Sequence, residues 1–236
     1  MPYLIDKVRM VILGNTHYGF LDYEKASHNP DLIEIRCFIN HAVQRNREIY
    51  HYDVRQAFME AKGESRMFGM LPTAYLHEGK DAFYTDYALY GGPTSGRTFE
   101  IHRNNIITKF RVTRNVNTYK LKCNPTCRSE FLLVDEQTAD DDSTAKNIGV
   151  LIVQTDDFLL AVNDTTIETE WGKYMDDNFN KVSHLGLINR VVGIAVTATR
   201  NKDREIIGYS MDQGSSIQSV IEKFAIPEIA TKTPMD

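Results

Sequence analysis

Three carboxylates stand where the surrounding apolar pattern makes them expensive. Asp156 and Asp157 interrupt the run GVLIVQTDDFLLAV, and Asp53 closes the short stretch IYHYD ahead of VRQAF. Two adjacent carboxylates at a buried β-turn are costly unless a cation or a positive side chain neutralises them. Brought together from two strand ends, three such groups would suit a pair of divalent metals about 3.5–4 Å apart, as in polymerases and nucleases. Magnesium is the natural ion, being hard, oxygen-seeking and tolerant of substrate phosphates as ligands. The plainer alternative leaves Asp156 and Asp157 as a solvated hairpin turn.

Other groups carry less. Cys123 and Cys127 form a CxxxC spacing, but no second pair or histidine cluster completes four zinc ligands. The seven histidines are scattered without ligand spacing, and none neighbours a nucleophile. GGPTSG (91–96) lacks the Lys-Ser/Thr ending of a phosphate-binding loop. Trp171, the single tryptophan, is most simply a core residue.

The elements that must position these groups are those of an ordinary globular chain. Its 236 residues are 42% apolar and 25% charged, with 12 Tyr and 11 Phe, which excludes a disordered or fibrous protein. The longest uncharged apolar run, about 148–154, is too short to span a bilayer. MPYLIDKVRM lacks the apolar stretch of a signal peptide, so the three cysteines are expected to stay reduced. The expected location is the cytoplasm, with the nucleus as alternative, and neither secretion nor membrane contact is expected.

Net charge is −5, from 27 basic and 32 acidic residues, which argues mildly against phosphate-driven binding. The distribution is uneven: residues 101–129 hold seven Lys and Arg, from Arg103 to Arg128, and no Asp or Glu. Such a stretch would face phosphates or merely solvate a strand pair.

Residues 31–46 are expected to form a helix capped by Asp31, with Ile33, Cys37 and Ala42, joined by Phe38 and His41, on its apolar face. IYHYDV follows as a strand, and IITKFRV (106–112) is expected to be extended. EFLLV and IGVLIVQT should pair as a hairpin around the acidic turn ADDDSTAKN. A helix over 166–180, strands over 187–198 and 205–209, and a helix over 215–224 complete the chain. This order is α+β rather than doubly wound.

Seven segments, in order, resemble the reverse transcriptase domain of copia-type retrotransposon polyproteins. YHYDVRQAF (50–58) is similar to the family's "MDVKTAF", and LYGGPTSGRTF (89–99) to "LYGLKQSPRTW". VQTDDFLLA (153–161) resembles "YVDDLLIA", and DKVRMVILG (6–14) resembles the fingers segment "YKARLVARG". HLGLINRVVGIAV (184–196), MDQGSSIQSVIEKF (211–224) and TKTPM (231–235) resemble "DLGEIKYFLGIEI", "LSQSAYVKKILEKF" and "VSTPM".

The resemblance implies one domain over 1–236: a right-hand polymerase palm, an antiparallel sheet flanked by helices, with a truncated fingers subdomain. Residues to about 50 would be partial fingers, 51–212 palm with a fingers insertion, and 213–236 the primer-grip helix and the start of a connection. The family reaction adds deoxynucleotides to a primer 3′ hydroxyl on an RNA template. By position, Asp53, Asp156, Asp157 and the carbonyl of Val54 would hold two magnesium ions, or manganese. Lys7, Arg9, Phe58, Gly91, Thr94 and Arg97 would line the nucleotide site, with Phe58 as a gate against ribose, and Gln213 would lie in the primer grip. The implied partners are RNA template, DNA primer and deoxynucleoside triphosphates.

Departures from the family pattern are specific. Gln154 replaces an aromatic beside the aspartate pair, Thr94 a Gln, Pro93 a Lys, Gly96 a Pro and Leu13 an Arg. Loss of one positioning contact of this kind can cost roughly 10²-fold in rate. Three readings result: a working polymerase domain; a retroelement-derived fragment without polymerase activity that serves as a binding or structural module or as nothing; and a non-catalytic RNA-binding protein that uses the stretch from Arg103 to Arg128.

Overall fold

The computed structural model describes residue 11 and residues 27–70, 82–138 and 147–224. Lys7 and Arg9, and the segment TKTPM, lie outside the described residues.

Helix α1 (Leu32–Gln44) starts where a capping box allows it: the Asp31 carboxylate accepts from the Glu34 amide at 2.8 Å, and the Glu34 carboxylate accepts from the Asp31 amide at 2.9 Å. It buries Ile35, Phe38, Ile39 and Ala42. Phe38 and Ala42 were expected there, but Ile33 and Cys37 are exposed, because the buried stripe runs from Ile35 at helical spacing. Strand β1 (Glu48–Val54) follows, then a one-turn 3-10 helix (Ala57–Glu60) and the hairpin β2 (Lys62–Met70) with β3 (Ala82–Tyr87).

Helix α2 (Ser95–Ile107) corrects the expectation that IITKFRV is extended from Ile106: both isoleucines belong to the helix, and only β4 (Arg111–Arg114) is strand. The helix hid because its buried face holds Glu100 and Arg103 between Phe99 and Ile107. Two charges on the inner face erase the periodicity that marks a helix.

Strands β5 (Asn117–Cys123), β6 (Glu130–Asp135), β7 (Gly149–Gln154) and β8 (Asp157–Val162) precede α3 (Thr165–Asn178), capped by Asp164, and β9 (Val182–Leu187). They form an antiparallel sheet ordered β4-β5-β6-β7-β8-β1-β9. β7 and β8 read as continuous apolar runs because helices or other elements cover both their faces. On one face Tyr52, Val54, Phe158 and Leu160 join Phe99, Ile107, Ile167, Trp171 and Met175 of α2 and α3. On the other, Ile49, Val150, Ile152, Leu159 and Ala161 meet α1.

A smaller sheet, β10 (Arg190–Val191), β11 (Ile194–Arg200) and β12 (Ile206–Asp212), leads into α4 (Gly214–Lys223). Val191 and Val196 share the α1 core, and Arg200 forks onto the Glu48 carboxylate at 2.7 and 2.8 Å. The expected single strand over 187–198 is broken by a tight turn at Val192 (φ 50°) and Gly193 (φ 75°). Among the described residues no helix is long and apolar enough to cross a membrane, and the three cysteines are unpaired.

Candidate active site

Strand register brings the first and last of the three aspartates together. Asp53 and Asp157 are Cα partners across β1 and β8, so both side chains leave the same face of the sheet. Thr155 and Asp156 form the two-residue connection between β7 and β8. The Val54 amide donates to the Asp156 carbonyl at 2.9 Å, which ties the end of β1 to that turn.

Strand alternation places His51 on the Asp53 face, and the structure puts its Nε2 2.7 Å from Asp157 Oδ1. His51 is 7% exposed, and its Nδ1 is buried without a hydrogen-bond partner among the described residues. Asp53, Asp156 and Asp157 are each half-buried at the end of the strands, while Ile49 and Leu159 of the same face are in the core.

The turn is held from outside. Thr155 has φ 50°, a left-handed conformation that a β-branched residue resists. Asn29 Oδ1 accepts from the Thr155 amide at 3.0 Å and from its hydroxyl at 3.2 Å, and Arg103 Nη1 donates to the Thr155 carbonyl at 3.2 Å. Arg103 is 1% exposed, and burial pulls its pKa down to about 10. One turn earlier on α2, buried Glu100 accepts from the His28 amide (3.2 Å) and Arg97 (3.1 Å) and meets the His28 ring at 3.0 Å. Burial pushes the Glu100 carboxyl up, but these hydrogen bonds outweigh it and hold its pKa below the usual value.

Phe58 joins the 3-10 turn to the segment before α2. Its ring stands edge-on to Tyr90 (4.9 Å between centroids) and to Phe99 (6.0 Å). Gly91 takes φ 79° in the turn closed by the Gly92 amide on the Leu89 carbonyl, a conformation that glycine reaches freely. Thr94 is the N-cap of α2 without a side-chain cap bond, and Arg97 lies against Glu100. Gln213 is exposed at the start of α4, beyond the smaller sheet.

The expected residues thus fall into groups. Asp53, Val54, Asp156 and Asp157 meet at one strand end. Phe58, Gly91 and Thr94 lie along the segment packed beside the 3-10 turn. Lys7 and Arg9 are outside the described residues. His51, Asn29 and Arg103 were missed. His51 was legible from its two-residue offset from Asp53, whereas Asn29 and Arg103 reach the turn from 126 and 52 residues away.

Three carboxylates, one backed by an imidazole, are the donor chemistry of a hard divalent cation. Among the described residues, however, no three His, Cys, Asp or Glu side chains converge to hold an ion, and Asp157 is turned to His51. Three of the seven basic residues of the stretch 101–129 are engaged within the chain: Arg103 is buried, Arg111 pairs with Glu136 at 2.7 Å, and Arg114 with Asp164 and Glu170 at 2.9 Å each.

A family profile described as "Reverse transcriptase (RNA-dependent DNA polymerase)" matches residues 5–236. No curated protein and no solved structure matches the chain.

Proposed function

The chain belongs to the reverse transcriptase (RNA-dependent DNA polymerase) family, and from that premise we propose that it is the RNA-directed DNA polymerase domain of a copia-type retrotransposon. The observation that carries this reading is the cross-strand pair Asp53–Asp157 with Asp156 in the adjoining turn. The seven-stranded sheet with α2 and α3 on one face would be the palm, and the β2–β3 hairpin part of the fingers.

Asp53, Asp156, Asp157 and the Val54 carbonyl would hold two magnesium ions. When bound, magnesium would lower the pKa of the primer hydroxyl and neutralise the triphosphate and leaving pyrophosphate. The chain's own residues do the rest. The β1–β8 register fixes the spacing of Asp53 and Asp157, and the Val54–Asp156 bond fixes the turn. Phe58, propped by Tyr90 and Phe99, would exclude a ribose 2′ hydroxyl. Gly91, Thr94 and Arg97 would line the nucleotide site, Lys7 and Arg9 would bind the triphosphate, and Gln213 would contact the primer.

A second reading is a folded retroelement-derived module without polymerase activity, binding or structural. It is favoured by one observation: the Asp157 carboxylate is engaged by the His51 ring at 2.7 Å. Steady-state extension on matched RNA and DNA templates separates the two. Incorporation on the RNA template supports the polymerase reading, and none on either template from folded protein supports the module.

A further inference from the structure

The two-residue turn that carries Asp156 is built on an unfavourable residue. Hairpins of this length place glycine, asparagine or aspartate where φ is positive, and this chain places Thr155 there at φ 50°. Both backbone groups of Thr155 are held by side chains foreign to the hairpin. Asn29 Oδ1 takes its amide and hydroxyl, and Arg103 Nη1 gives to its carbonyl at 3.2 Å. Arg103 is an odd choice for a core position. It is 1% exposed, its Nε reaches Asn104 Oδ1 at 3.2 Å, and its Nη2 is buried with no hydrogen-bond partner among the described residues. A buried cation left partly unsatisfied is costly, so what it holds has to matter.

We infer that Asn29 and Arg103 are positioning residues that clamp the Thr155 peptide in its left-handed conformation and thereby fix where Asp156 and Asp157 leave the turn. The consequence for catalysis rests on the polymerase reading; the clamp itself does not. Asp156 follows Thr155 directly, and its carbonyl receives the Val54 amide at 2.9 Å. That amide touches neither clamp residue and so reports on the turn from the far side.

The test is residue-resolved amide exchange of Val54 in the folded protein, with Leu151 in mid-β7 as the control. Asn29→Ala and Arg103→Met are each made with and without Thr155→Gly. Either clamp variant should speed Val54 exchange by roughly tenfold or more while Leu151 changes much less. In the T155G background the same variants should shift Val54 by less than about twofold, because glycine reaches positive φ without the clamp. Equal acceleration of Val54 and Leu151 would mean general loosening and overturn the proposal. So would an unchanged Val54, or an effect that T155G leaves at full size. Should R103M fail to fold, N29A decides alone, since Asn29 lies outside the core. Absence of primer extension by the wild type would remove the polymerase reading and leave the exchange result standing.

Discussion

His51 Nε2 lies 2.7 Å from Oδ1 of Asp157, the residue that pairs with Asp53 across the β1–β8 ladder. The imidazole therefore occupies a lone pair that a cation would use. A hydrogen bond to a charged group is worth roughly 1.5–3 kcal/mol when buried, and less here because the Asp157 side chain is 34% exposed. His51→Leu should free Asp157 and tighten Mn²⁺ binding by roughly threefold to tenfold. The loss of free Mn²⁺ signal in electron paramagnetic resonance titrations measures it.

Glu100 makes stability depend on acid. Its folded-state pKa is held below the ordinary carboxylate value by His28 and Arg97 against the opposing effect of burial. The unfolded chain therefore takes up the proton first as pH falls, and the stabilisation present at neutral pH drains away below the unfolded pKa. Urea midpoints followed from pH 7 down through the carboxylate range should fall less steeply in Glu100→Gln than in wild type. The variant should also start lower at pH 7.

Phe158, adjoining Asp157, is fully buried against Trp171 and Phe179. Phe158→Ala should cost about 3–5 kcal/mol, read by fluorescence of the single Trp171 during urea unfolding. Gly149→Ala should also destabilise, by about 1–3 kcal/mol, because its new methyl would lie 2.7 Å from Val162 Cγ1.

Arg111 and Arg114 are engaged by Glu136, Asp164 and Glu170 at the surface. Replacing both with alanine should lower stability by less than about 1 kcal/mol per pair. It should leave the salt dependence of nucleic-acid binding unchanged, as filter binding at several salt concentrations would show. A fall in slope would mean that these arginines reach phosphates after all.

Much of this was legible where one physical rule dominates. Asp31 announced its helix as a cap, and the apolar runs at β7 and β8 announced a buried hairpin. The aspartate pair at its turn and Asp53 at a strand end were visible as carboxylates in apolar surroundings. Helix α2 was not, because Glu100 and Arg103 sit on its inner face and find partners distant in sequence. The β10–β11 turn escaped because Val192, a strand-former, takes the positive φ that asparagine usually signals. The support of Thr155 escaped for the same reason as α2: Asn29 and Arg103 meet it only once the chain has folded.

The most direct test of the central claim is extension of oligo(dT) on poly(rA) with magnesium or manganese by the wild type and by Asp53→Asn, Asp156→Asn and Asp157→Asn. All four are first shown to be folded by Trp171 fluorescence. The wild type should extend the primer, and each substitution should lower the rate by roughly 10²–10³-fold or more. Folded wild type that extends nothing, or extension that survives Asp156→Asn, would contradict the assignment of these three carboxylates to catalysis.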